Sequence, residues 1–269
     1  MKNRADQFPW LLGVFPLLEV ACFVAACWVV GERPVLALGL LGLAALALNF
    51  AVHVFFHEVI HFSAKRPLSR GFNWLGSIVL GLPLDGYRVH HCNHHQYDNG
   101  EADYSTTLRS TGAAREPFSR WSYALGWPRQ SIAAGKYLRT PAGSLEWSGE
   151  LGNRMLTQRL VVGVVIVALA VISWKFALLY VGLVYLGWAA VALQNFGQHV
   201  PRLGGGATSW VNPIYNRLLF NNGLHWEHHA HPERSWHELT PDDESPRISM
   251  PHLVFALVRA PLKELTDVG

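Results

Sequence analysis

Histidine is the residue whose spacing in this sequence could do chemistry. Three short clusters carry it: His57-Glu-Val-Ile-His61, His91-Cys-Asn-His94-His95 and His225-Trp-Glu-His228-His229. Spacings of i, i+4 in the first and i, i+3, i+4 in the others put the imidazoles of each cluster on one helical face, so each can present two or three ring nitrogens to one point. Together they make eight imidazoles, more than one tetrahedral ion takes and about what a two-metal centre with nitrogen ligands needs. A lone histidine near a membrane interface is usually a hydrogen-bonded structural residue. Here, of 14 histidines, 11 lie within or beside the clusters or at the end of the last long apolar stretch, so chance placement is a poor account of them. His53, one turn before His57, reads as a buried supporting residue, and His90 lies off the face of its cluster. His231, His237 and His252 read as surface or supporting residues.

Long apolar stretches must position these clusters. Half of the 269 residues are hydrophobic and only 15% are charged, which argues against an ordinary soluble domain. Pro9 to Val30 and Pro34 to Phe56 each match the roughly 20 apolar residues that span a bilayer, and Leu160 to Trp174 with Phe176 to Asn195 form a second pair. The joints Gly31-Glu-Arg-Pro34 and Lys175 make each pair a helical hairpin. The expected fold is therefore all-α and integral to the membrane: four transmembrane helices and a cytoplasmic helical cap holding the histidines, in one domain over 1–269. The first stretch is too long for the core of a secretory signal, which is about 7–15 residues. With both hairpin tips outside, 20 of the 22 Lys and Arg fall on the side of the termini and the histidine clusters, so that side is read as cytoplasmic and the membrane, in a bacterium, as the inner one. The basic balance then favours anionic headgroups or an acidic protein partner, and nothing points to nucleic acid.

Between the spans, several stretches invite finer readings. If the second span runs unbroken to about Ser63 it is some 45 Å long against a hydrocarbon core of about 30 Å, so His57 and His61 emerge from the lipid. Phe72 to Leu84 is too short to span and reads as interfacial or re-entrant. Asp103 and Glu101 are candidate acceptors for the second ring N–H of ligating histidines. From Thr106 to Arg159, Trp121, Trp127 and Trp147 alternate with Arg120, Arg129, Lys136 and Arg139, the pattern of helices resting on headgroups. Asn195 and His199 lie one turn apart at the end of the last span, so His199 is a candidate ninth ligand and Asn195 could reach the same ion through a water. Asn212-Pro213 reads as a helix start and Pro232 as the stop after the third cluster. Cys22, Cys27 and Cys92 show no pairing pattern, and Cys92 points away from its neighbour His91.

These residues carry a resemblance. His57-Glu-x-x-His61, His91-x-x-His94-His95 and His225-x-x-His228-His229 on a four-span layout resemble the membrane fatty acid desaturase and hydroxylase superfamily over about Asn49 to Leu239. Tyr87-Arg before the second box, Asn99 and Asp103 after it, and Asn195-x-x-x-His199 are similar to features of the acyl desaturases, whereas Gly223-Leu-His-x-Glu-His-His-x-x-Pro232 also resembles carotenoid ketolases. The resemblance implies two iron ions on His57, His61, His91, His94, His95, His199, His225, His228 and His229, with Asn195 and Asp103 as further functional residues. It implies dioxygen as co-substrate and oxidation of an unactivated C–H bond in an apolar, fatty acyl substrate, giving an alkene or an alcohol. No flavin, haem, iron–sulfur or His-Pro-Gly-Gly motif is visible, so an external ferredoxin-, rubredoxin- or cytochrome-type electron donor is expected.

Two readings from other classes compete. His57-Glu-Val-Ile-His61 is also the zincin pattern, and Leu84-Asp85-Gly86 resembles an element of intramembrane metalloproteases; one zinc would then take His57, His61 and Asp85 with Glu58 as general base. That reading leaves the second and third boxes without work. A metal carrier would need ligands that let go, and nine imidazoles hold too firmly for that.

Overall fold

The computed structural model describes residues 10–63, 69–111, 114–137, 149–199 and 206–258. The chain groups into two compact units, Met1–Asn93 with Trp127–Val191 and His94–Gly126 with Ala192–Gly269.

The first unit is built of apolar helices. A 3-10 turn, Trp10–Gly13, leads into α1, Val14–Val29, whose buried face carries Glu19 and Ala26. Pro34 then sits in the first turn of α2, Pro34–Phe50, where its fixed φ and missing N–H do no harm. As expected, α2 does not stop at the membrane limit: it runs through a π-helical segment, Ala51–Phe56, into α3, His57–Ser63. Helix α4, Arg70–Leu80, starts where the Ser69 side chain accepts from the Phe72 N–H and ends at Gly81, whose φ of 66° is left-handed. Helix α5, Leu84–Tyr97, follows at once, and α7, Trp127–Tyr137, belongs to the same unit.

Helix α8, Gly149–Ile172, and α9, Trp174–Gln198, complete the long elements. The break between them falls at Ser173 rather than at Lys175, because the Ser173 carbonyl already accepts from the Phe176 N–H and begins the next helix. Among the described residues three helices are long and apolar enough to cross a membrane, Pro34–His61, Gly149–Ile172 and Trp174–Gln198, whereas α1 at 16 residues falls short of the usual length. Close packing uses a small residue: a Cβ on Gly187 would come within 2.9 Å of the Leu48 side chain, so Gly187 of α9 makes room for Leu48 of α2.

The second unit departs from an all-α reading. Two short strands, β1, Leu108–Thr111, and β2, Ala114–Pro117, pair antiparallel with Leu108 opposite Pro117. They fall where headgroup-lying helices were expected. The cause is upstream: the Asn99 side chain accepts from the Thr107 N–H at 2.6 Å and donates to Thr107 Oγ1 at 3.0 Å, which holds the chain extended as it enters β1. Helices follow after it, α6 at Arg120–Leu125, then α10, Pro213–Leu218, α11, His225–Ala230, and α12, His252–Val258. Asn212 caps α10 through both the Ile214 and Tyr215 N–H groups, as its pairing with Pro213 predicts. Trp147 and Arg139 lie outside the described residues.

Candidate metal centre

In the first unit three imidazoles meet. His57 and His61 come from α3 and His91 from α5, with ring centroids 4.5 to 5.0 Å apart and His61 Nε2 3.0 Å from His91 Nε2. The start of α5 is fixed by a buried polar knot. Gln158 of α8 donates to Asp85 Oδ2 at 2.6 Å and accepts from the Asp85 N–H at 3.1 Å, while Ser77 of α4 accepts from the Leu84 N–H. Arg154 Nε also donates to Asp85 Oδ2, at 3.2 Å. Asp85 is thus bound to Gln158 and Arg154, and the donors grouped with His57 and His61 are imidazoles. Glu58 is buried. His53 is buried one turn back and donates to the Val191 carbonyl at 3.3 Å, in keeping with a supporting residue. Cys92 is exposed, as its direction on the helix predicts.

A second set forms wholly inside the second unit. His94, His199, His225 and His229 each offer a ring nitrogen, and these four atoms lie within 4.8 Å of one another. Imidazole nitrogens at about 2.1 Å from a tetrahedral ion lie about 3.4 Å apart, so the set needs little contraction to close on one. Two of the rings, His94 and His229, have a carboxylate behind them. Asp103 Oδ2 accepts from His94 Nδ1 at 2.9 Å, and the same carboxylate accepts from the Asn99 and Ser105 N–H groups at 2.7 and 2.6 Å. Burial pushes the Asp103 carboxyl up, but His94 and the two backbone donors outweigh it and hold it below the usual carboxylate range. Asp98 Oδ1 lies 3.2 Å from His229 Nδ1 and 3.4 Å from His199 Nδ1; among the described residues the buried His199 Nδ1, His225 Nδ1 and His229 Nε2 make no hydrogen bond. Burial, with the neighbouring histidines, pushes His199 and His225 well below the ordinary imidazole range, and burial also lowers His229 against the pull of Asp98. Buried, converging rings, two of them with a carboxylate behind, suit a metal of imidazole preference.

The remaining imidazoles of the boxes also pair within this unit. His95 Nε2 and His228 Nε2 are 2.8 Å apart, and Trp236 lies against His228 with ring centroids 4.6 Å apart. Glu227, inside the third box, faces the loops: its Oε2 accepts from Ser209 Oγ and its Oε1 from the Asp242 N–H. Asn221 Nδ2 donates to the Trp236 and Leu239 carbonyls, which secures the turn ahead of α11. His252 is buried as well, donates to the Thr208 carbonyl at 3.0 Å and is pushed by burial down to about 4.

Sequence spacing named all nine box and span-end histidines, and Asp103. His199 N–H bonds to the Asn195 carbonyl at 3.1 Å, so the two do lie one turn apart. The Asn195 amide is engaged elsewhere: Nδ2 donates to Tyr123 Oη at 2.7 Å and to the Ser105 carbonyl at 3.1 Å. Glu101 is exposed, and no bond from it to a histidine is seen among the described residues. Asp98, Trp236 and Glu227 were not foreseen. Asp98 lies three residues after the second box in an Asp-Asn-Gly turn, which was the one signal available.

The comparisons with known proteins agree with this geometry. The profile of the family described as Fatty acid desaturase matches residues 33–242. The chain belongs to the fatty acid desaturase family, and is by that membership a membrane oxidoreductase of the desaturase and hydroxylase type. No curated protein matches the chain.

Proposed function

We propose that the protein is a dioxygen-dependent, di-iron membrane oxidoreductase that desaturates or hydroxylates an apolar, fatty acyl substrate, with electrons from a separate carrier. The observation that carries this reading is the buried four-imidazole set of His94, His199, His225 and His229, backed by Asp103 and Asp98. One ion is assigned to that set. The other ion is left to the remaining box histidines, of which His57, His61 and His91 meet in the first unit. Iron suits ligands of this kind as well as zinc does, and nine imidazoles are more than any one ion holds.

When bound, the iron pair supplies reduction of dioxygen and an oxidant for an unactivated C–H bond. The chain's own work is positional. Asp103 accepts a hydrogen bond from His94 Nδ1–H, which keeps the proton on Nδ1 and leaves Nε2 with its lone pair. Asp98 does the same for His229 and lies 3.4 Å from His199 Nδ1, and Trp236 lies against the His228 ring. Asp103 therefore acts through His94 as a positioning residue. Asn195, with Nδ2 held by Tyr123 and Ser105, has its amide oxygen as the atom that would meet a metal-bound water.

The test is metal and product analysis of protein purified in detergent. Iron near two per chain and an oxidised acyl product by mass spectrometry are expected. His199→Ala lowers both sharply, whereas Asn195→Ala keeps the iron and slows turnover. A single zinc, no iron, and hydrolysis lost on Glu58→Gln would replace the reading with a protease. Turnover of a carotenoid and no acyl chain would move it to the ketolases.

A further inference from the structure

Helix α9 is 25 residues long, about 37 Å against a hydrocarbon core of about 30 Å, so its last turns reach the bilayer surface. Two short helices pack on that end. Ala124 of α6, Leu193 of α9 and Ala256 of α12 form one buried cluster, joined by Phe196 and Leu253. Arg120 Nη1 donates to the Ala256 carbonyl at 3.0 Å, and Gly197 lies so close to the His252 carbonyl that a Cβ would collide with it. With their small residues turned inward, α6 and α12 present large apolar ones outward. Trp121 and Leu125, spaced i, i+4, and Val254, Leu257 and Val258, spaced i, i+3, i+4, are between 41% and 64% exposed.

We propose that the outward faces of α6 and α12 form a pad that inserts into the lipid leaflet on the histidine-bearing side of the membrane. The occupant is lipid because the pad is continuous with the end of a spanning helix, where the leaflet begins. Its chemistry also fits. The Arg120 guanidinium lies 5.6 Å from the Trp121 ring, and Trp with Arg beside apolar side chains is the composition that sits at headgroup depth. A second copy of the chain fits less well, since five side chains are far fewer than the roughly 20–30 residues a side of a stable protein interface. The pad holds the end of α9, and with it His199, at the lipid surface independently of which substrate the enzyme takes.

Spin labelling of the full chain tests this. Cys22, Cys27 and Cys92 are replaced by Ala, and Leu125→Cys and Leu257→Cys are labelled singly in nanodiscs of phosphatidylcholine and phosphatidylglycerol, with Val171→Cys and Asp243→Cys as lipid and water references. Labelled proteins that retain wild-type metal content are compared. Oxygen is expected to relax the labels at 125 and 257 several-fold more than a water-soluble nickel chelate does, as at 171. Nickel access equal to that at 243 overturns the proposal. So does dipolar broadening between labels on two copies with oxygen excluded, which would make the pad a protein interface.

Discussion

At the scale of single residues, two carboxylates divide the work of orienting one set of rings, and they differ in how replaceable they are. Asp103 is buried and serves His94 together with two backbone N–H groups, so its loss disturbs the loop as well as the ring. Asp98 is partly exposed and, among the described residues, is seen against the Nδ1 atoms of His229 and, at 3.4 Å, His199. Asp98→Ala is therefore expected to leave the fold intact and weaken metal binding by about 10–100-fold, the usual effect of removing an outer partner of a ligating histidine. Titration of metal-free protein with Co²⁺, read by its visible spectrum, checks this; unchanged affinity would leave Asp98 a surface charge. The histidines were legible in the sequence because helical spacing alone puts them on one face. Asp98 was not, because its place depends on a turn in which Asp98 and Asn99 take positive φ of 34° and 64°, and spacing says nothing about such a turn.

At the scale of elements, apolar periodicity found the long helices and their proline start, but missed what polar side chains decide. The hairpin of β1 and β2 follows from Asn99 holding Thr107, a contact between loop residues that no local propensity reports. The break at Ser173 depends on one carbonyl, which Lys175 nearby disguised. The π-helical segment that ends at His57 was equally invisible; such segments occur inside helices and frequently at functional sites. The contact of α9 with α12 gives a sharp test of packing. Because Gly197 lies against the His252 backbone, Gly197→Ala must push α12 away and is expected to destabilise by about 1–3 kcal/mol. The thermal midpoint in detergent should fall by several degrees and iron retention on heating with it, since His199 is two residues on. An unchanged midpoint would mean that α12 shifts freely and contributes little.

At the scale of the whole molecule, the number of crossings turns on the first helix. Helix α1 has 16 residues, but with the 3-10 turn before it the helical stretch is about 32 Å long, enough for a hydrocarbon core of about 30 Å. Four crossings put both termini on one side, and three put them on opposite sides. Reporter fusions at each end are expected to report the cytoplasm for both; an external amino terminus would reduce the crossings to three. The same topology bears on how electrons arrive. Four crossings would gather 20 of 22 Lys and Arg on the histidine side, on a chain with a net charge of +3, and an acidic carrier would then meet its own complement there. Turnover should then need an added ferredoxin-, rubredoxin- or cytochrome-type protein, and its apparent affinity should fall as ionic strength rises from about 0.01 M to 0.15 M, where the Debye length shrinks from about 30 Å to about 8 Å. Stopped-flow reduction of the iron centre by each carrier over that range measures it. Equal rates at both salt concentrations would place docking on apolar contacts instead, and dioxygen consumption with NAD(P)H and no carrier would remove the partner altogether.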